Sequence, residues 1–124
     1  MNPSNIPECP ASTILALNDC LAVLNGKWKV PIIGTLLFGT KRFKDLENTL
    51  KKITPRMLSK ELKELEVNNI VKRNIYNERP VRIEYELTDS GYTLKPILEA
   101  MVEWGAQHRC AVLKNSQKES EMLP

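Results

Sequence analysis

The sequence predicts a mainly α-helical domain carrying one small β-hairpin, and three observations lead there. Apolar residues recur at helical spacing from Ile14 to Leu65, the period shortens to two between Val71 and Leu87, and helical spacing returns from Leu94. At 124 residues the chain has the length of one ordinary domain, which buries roughly two-thirds of its unfolded surface and needs no staple to hold a core. The ordered core is expected over residues 9–113, with 1–8 and 114–124 flexible.

In chain order, Pro10 suits a first helical position, and Ile14, Leu15, Leu17, Leu21 and Leu24 form an amphipathic stripe ending at Asn25-Gly26. Trp28, Ile32, Ile33, Leu36 and Leu37 mark a second helix that stops before Gly39, with Pro31 tolerated near its first turn. Phe43, Leu46 and Leu50 give a short third helix. Thr54-Pro55 then supplies a cap and a proline at the first helical position, and Leu58, Leu62 and Leu65 recur along one stripe. This fourth helix should close at Asn68-Asn69, since asparagine follows glycine as a left-handed terminator. Val71, Arg73 and Ile75, then Ile83, Tyr85 and Leu87, alternate with polar neighbours on either side of Asn77-Glu78-Arg79-Pro80, which reads as a hairpin. Thr88 and Asp89 can cap a last helix carrying Leu94, Ile97, Leu98, Met101, Val102 and Trp104, which Pro96 should kink or split. Tyr85, Ile83 and Leu65 are expected in the core.

Four helices, a hairpin and one further helix, in that order, make a winged helix-turn-helix, with the third and fourth helices as the DNA-reading pair. Charge agrees with this. The total is only +3, yet Thr40–Arg82 holds 12 basic residues against 6 acidic ones, the footprint of a surface that meets a polyanion. On the fourth helix Arg56, Ser59, Lys60 and Lys63 fall within about 100° of arc, opposite the leucine stripe. Arg56, Ser59 and Lys60 are candidates for base edges and Lys63 for a phosphate, with Thr54 at the helix start. Taken alone, these cations could equally solvate the helix and pair with Glu64 or Glu66. Lys41 and Arg42 before the third helix, and Arg79 and Arg82 beside the hairpin tip, favour the double-stranded DNA reading.

Other classes find little support. The longest apolar stretches, such as Pro31–Phe38, are too short to span a bilayer, and no export signal precedes them, so a cytoplasmic protein without a membrane partner is expected. Cys9, Cys20 and Cys110 are far apart and joined by one histidine, His108, which argues against a disulfide scaffold, a metal site or a cofactor. No nucleophile arrangement or phosphate loop points to an enzyme, and His108 reads as a surface residue. A winged-helix module that binds protein instead of DNA is the alternative.

The residues also resemble the HxlR-type winged-helix transcriptional regulators of bacteria and archaea. The resemblance runs from Cys9 to Trp104, on Cys9-Pro10, Gly26-Lys27-Trp28, Gly39 with Arg42-Phe43, Ile53-Thr54-Pro55-Arg56-Met57-Leu58, Leu62-Lys63-Glu64-Leu65-Glu66, and Arg82-Ile83-Glu84-Tyr85-Glu86-Leu87-Thr88 with Gly91. It implies a homodimer, joined through the first and last helices, that binds pseudo-palindromic operators and usually represses. Where that family tends to have glycine and serine, this chain has Asn69 and Thr54, which serve the same backbone needs.

Dimerisation has a separate argument, since Ile14, Leu17, Leu21, Met101, Val102 and Trp104 exceed what a small domain obviously buries, although they could simply close a monomer core. Cys9 stands at the start of the first helix, where unpaired N–H groups and the helix dipole favour thiolate and the Glu8 charge opposes it. A sensor thiol and a structural cysteine both remain open from the residues. The resemblance implies sensing of an oxidant or electrophile there, with Cys110 as the candidate second cysteine. Cys20, mid-helix, is expected to be buried packing.

Overall fold

A computed structural model describes the backbone of residues 10–122 and the side chains of residues 11–117. The elements are α1 (Pro10–Leu24), α2 (Lys29–Leu36), β1 (Lys41–Arg42), α3 (Phe43–Leu50), α4 (Pro55–Val67), β2 (Val71–Tyr76), β3 (Arg82–Leu87), α5 (Asp89–Tyr92) and α6 (Lys95–Met122). The sheet has the order β1-β3-β2 and is antiparallel throughout, with Lys41 opposite Tyr85 and Val71 opposite Leu87. This is the winged helix-turn-helix that the order of periods predicts.

The core forms where α2, α3 and α4 lean on the sheet. Ile32, Ile33 and Leu36 from α2, Leu46 from α3 and Leu58, Leu62 and Leu65 from α4 are fully or almost fully buried, and Val71, Tyr85, Leu87 and Leu98 close the cluster. The whole predicted stripe of α4 is therefore spent on packing. Its ends are fixed locally: Thr54 Oγ1 accepts the Met57 N–H at 3.1 Å, and Asn69 takes φ +58 just beyond the helix. The turn into α4 is tight, because Lys51 has φ +62 and the Lys52 N–H donates to the Leu50 carbonyl at 2.8 Å, an i→i+2 turn rarely formed at a non-glycine residue.

Several expectations need correction. β1 was not legible as a strand; its two residues owe their conformation to β3. Ile83 is 36% exposed instead of core, because the hairpin runs on past the helices that cover Tyr85 and Leu87. Cys20 is exposed on α1. The split expected at Pro96 is present: Thr88 caps the single turn of α5 by accepting the Gly91 N–H at 3.0 Å, and Pro96 falls in the first turn of α6 where its missing N–H costs nothing. The α6 backbone runs from Lys95 through Met122.

Candidate nucleic-acid interface

Burying Leu58, Leu62 and Leu65 turns the opposite face of α4 outward, and Arg56, Ser59, Lys60 and Lys63 are all exposed on it. Thr54 is exposed at the N-terminal end of the same helix. Lys60 Nζ lies 3.9 Å from Glu64 Oε1, an exposed i,i+4 pair of the kind that adds little stability and leaves the ammonium available. Arg56 and Lys63 make no ion pair among the described residues, so a guanidinium and an ammonium stand ready for acceptors.

The two flanking segments are joined through β3. Arg42 lies opposite Glu84 on that strand, and its own N–H donates to Asp45 Oδ2 at 3.0 Å, which fixes the start of α3. Lys41 is half-buried beside it and the Arg42 side chain is exposed. At the hairpin tip Arg79 is exposed, whereas Arg82 is committed within the wing. Its guanidinium carbon sits 4.2 Å from the Tyr76 ring centroid, and its two terminal nitrogens lie 3.3 Å from Glu78 and 3.4 Å from Glu84. Arg82 thus braces the hairpin, and its Nε makes no hydrogen bond among the described residues.

Sequence reading missed a buried cation under α4. Lys29 is only 3% exposed; its Nζ donates to Glu61 Oε2 at 2.8 Å and also to Glu64 Oε2. Burial works against the charge, but the hydrogen bonds to Glu61 and Glu64 outweigh it and hold the Lys29 pKa above the ordinary lysine value. The same hydrogen bond holds the Glu64 carboxyl below its ordinary value. A separation of 32 residues hides this contact from any local pattern.

The terminal helices leave a large apolar surface uncovered. Ile14, Leu17 and Leu21 on α1 and Met101, Val102 and Trp104 on α6 are exposed, the last two by 72% and 67%. Met101 and Val102 also border a groove of about 840 Å³ between α2 and α6, lined mainly by Val30, Pro31, Leu37 and Leu98. His108 is exposed and stacks on Trp104 at 4.8 Å between ring centroids. Cys110 is exposed on α6, and Cys9 lies outside the described residues. No helix among the described residues is long and apolar enough to cross a membrane.

The sequence profile of the HxlR-like helix-turn-helix family matches residues 23–112. The uncharacterized HTH-type transcriptional regulator YtcD of Bacillus subtilis is 38% identical over 94 residues, covering 76% of this chain and 75% of that protein. Among solved structures, the redox regulator HypR in its reduced form superposes with a TM-score of 0.76 at 38% identity, covering 80% of this chain and 98% of that one. The reduced form of the transcriptional regulator YodB from Bacillus subtilis does so with a TM-score of 0.68 at 36% identity, covering 82% and 94%, and diamide-treated and quinone-bound forms of YodB are also similar.

Proposed function

Because this chain belongs to the HxlR-like helix-turn-helix family, whose matched relatives are named transcriptional regulators and not enzymes, we propose that it is a cytoplasmic, sequence-specific DNA-binding repressor acting as a homodimer on a pseudo-palindromic operator. The observation that carries this reading is the division of α4 into a fully buried leucine stripe and an opposite exposed face bearing Arg56, Ser59, Lys60 and Lys63. Arg56, Ser59 and Lys60 stand in the half of the helix that enters a major groove first, and a guanidinium can hold O6 and N7 of guanine as a bidentate pair. Lys63 and Arg79 serve phosphates, with Lys41 and Arg42 adding charge beside α3. Arg82 acts through the wing, which it stiffens.

Supporting the homodimer is the apolar surface of α1 and α6, which a two-fold partner would cover while setting two recognition helices about one DNA turn apart. Control by Cys9 is supported by what relatives are called: HypR is a redox regulator, and YodB has been solved after diamide treatment and with quinone bound. Oxidation would remove two electrons and two protons from Cys9 and a second thiol, for which Cys110 is the candidate, and leave a disulfide. A quinone would instead add covalently to the thiolate.

The assignment of roles is tested by binding to operator and random duplexes in parallel. Arg56→Ala weakens operator binding, by roughly 1–3 kcal/mol, and relaxes one base position, while Lys63→Ala weakens both duplexes alike and flattens the salt dependence. Equal losses on both duplexes for both variants would contradict it. If neither variant changed any binding the protein performs, the chain would be a protein-interaction module.

A further inference from the structure

On its own residues α4 is not a basic helix. Arg56, Lys60 and Lys63 are matched in number by Glu61, Glu64 and Glu66. At roughly 100° per residue, Glu64 falls about 40° beyond Lys60 on the flank facing α2, with Glu61 further round toward the core. One edge of the reading face is therefore acidic, and the base edge that Lys60 meets would also face the Glu64 carboxylate.

Resting on the DNA-binding reading above, we propose that Lys29 is a positioning residue for DNA recognition: from beneath α4 it holds the Glu61 and Glu64 carboxylates and so leaves Lys60 free for a base edge. At 3% exposure Lys29 is too buried to touch DNA itself. Its Nζ reaches Glu61 Oε2 at 2.8 Å and Glu64 Oε2 as well, whereas the other oxygen of Glu64 stands 3.9 Å from Lys60, outside hydrogen-bond range. The two ammonium groups thus share one carboxylate, and the buried one has the better geometry. Solvent and salt screen Lys60 but hardly reach Lys29, so the arrangement persists as a duplex approaches. Without Lys29, Glu64 turns to Lys60, closes the ion pair and sets its charge beside the base edge. α2 thereby supplies part of the charge that α4 presents.

The test uses the full chain, reduced, and a labelled duplex from upstream of its own gene at about 50 mM salt, well below the melting temperature of every variant. Lys29→Met/Glu61→Gln replaces the buried pair by neutral side chains of similar size, so no unpaired charge is left inside, and Glu64 is released. It weakens binding to that duplex roughly tenfold, the loss of about one base contact. Adding Glu64→Gln to that variant restores affinity to within about twofold of wild type. A purely structural role would move the melting temperature and leave this recovery absent.

A folded Lys29→Met/Glu61→Gln variant that binds within about twofold of wild type overturns the inference while the DNA-binding reading stands. Wild type that fails to bind any duplex removes the reading and the inference with it. Should the buried substitutions melt below the assay temperature, Glu64→Gln alone decides. With its charge already held by Lys29, it changes affinity by no more than about twofold; a gain of roughly fivefold or more would show the carboxylate acting unopposed on DNA and overturn the inference.

Discussion

Thr54 accepts the Met57 backbone N–H at 3.1 Å, which places a hydroxyl at the start of α4 and satisfies one of the unpaired donors of its first turn. Thr54→Ala should cost about 1 kcal/mol of stability, and Thr54→Ser very little, since serine caps as well. Denaturant melts of the two variants check this. An alanine variant as stable as wild type would mean the cap is energetically idle.

Gly91 sits where α5 passes over the start of the sheet, and a Cβ there would collide with the Ile70 carbonyl oxygen and press on Leu87. In an ordinary helix Gly→Ala gains roughly 1 kcal/mol. Here Gly91→Ala should lose about 2 kcal/mol or more, because backbone must move to admit one methyl group. Thermal unfolding gives the sign directly, and a gain would contradict the close approach.

Glu86 ties the three strands together. Lys72 Nζ on β2 lies 2.8 Å from its Oε1, and the Thr40 hydroxyl beside β1 donates to its Oε2 at 3.2 Å. The Lys72 hydrogen bond, helped by Asn74, holds the Glu86 carboxyl below its ordinary value of about 4.5. A depressed pKa in the folded state means the stabilisation is complete above pH about 4.5 and disappears as pH falls through the folded value. The melting temperature of Glu86→Gln should therefore lie below that of wild type at pH 7, with the gap closing toward pH 3. A gap independent of pH would assign the loss to something other than this charge.

Val102 is 72% exposed in the isolated chain, so Val102→Glu should fold normally. If α1 and α6 form the dimer, that variant runs as a single 14.2 kDa chain in light scattering and binds operator at least roughly tenfold more weakly, having lost the second half-site. A Val102→Glu protein that remains a dimer would move the interface elsewhere.

Cys9→Ser should fold and bind DNA as wild type does yet ignore diamide or a quinone. Continued response would shift sensing to Cys110 or Cys20, both of which are exposed.

What the sequence made legible was local. The Thr54-Pro55 start, the Leu58, Leu62 and Leu65 stripe and the Asn69 terminator are all written within a few residues of where they act, and α4 and its outward cations could be placed from them. The alternation of Val71 to Leu87 gave the hairpin for the same reason. β1 was hidden because Lys41 and Arg42 become a strand only against Tyr85 and Glu84, more than forty residues away. Lys29 was hidden because nothing near it in the chain marks it for burial; its partners arrive on α4. Ile83 and Cys20 carried misleading signals. Ile83 alternates like a core residue on a strand that outruns its cover, and Cys20 lies on a helix whose apolar surface the isolated chain leaves open. Arg82 was recognisable as a wing cation, but its commitment to Tyr76, Glu78 and Glu84 required the hairpin register.

The most direct measurement is fluorescence-anisotropy binding of the reduced protein to DNA upstream of its own gene, against a shuffled duplex of equal length, at about 50 and 200 mM salt. A sequence-specific regulator prefers the authentic duplex by roughly 10³ or more, and the preference survives the higher salt. Weak binding that ignores sequence and collapses with salt would contradict that role, leaving the cations of α4 as a generic basic face.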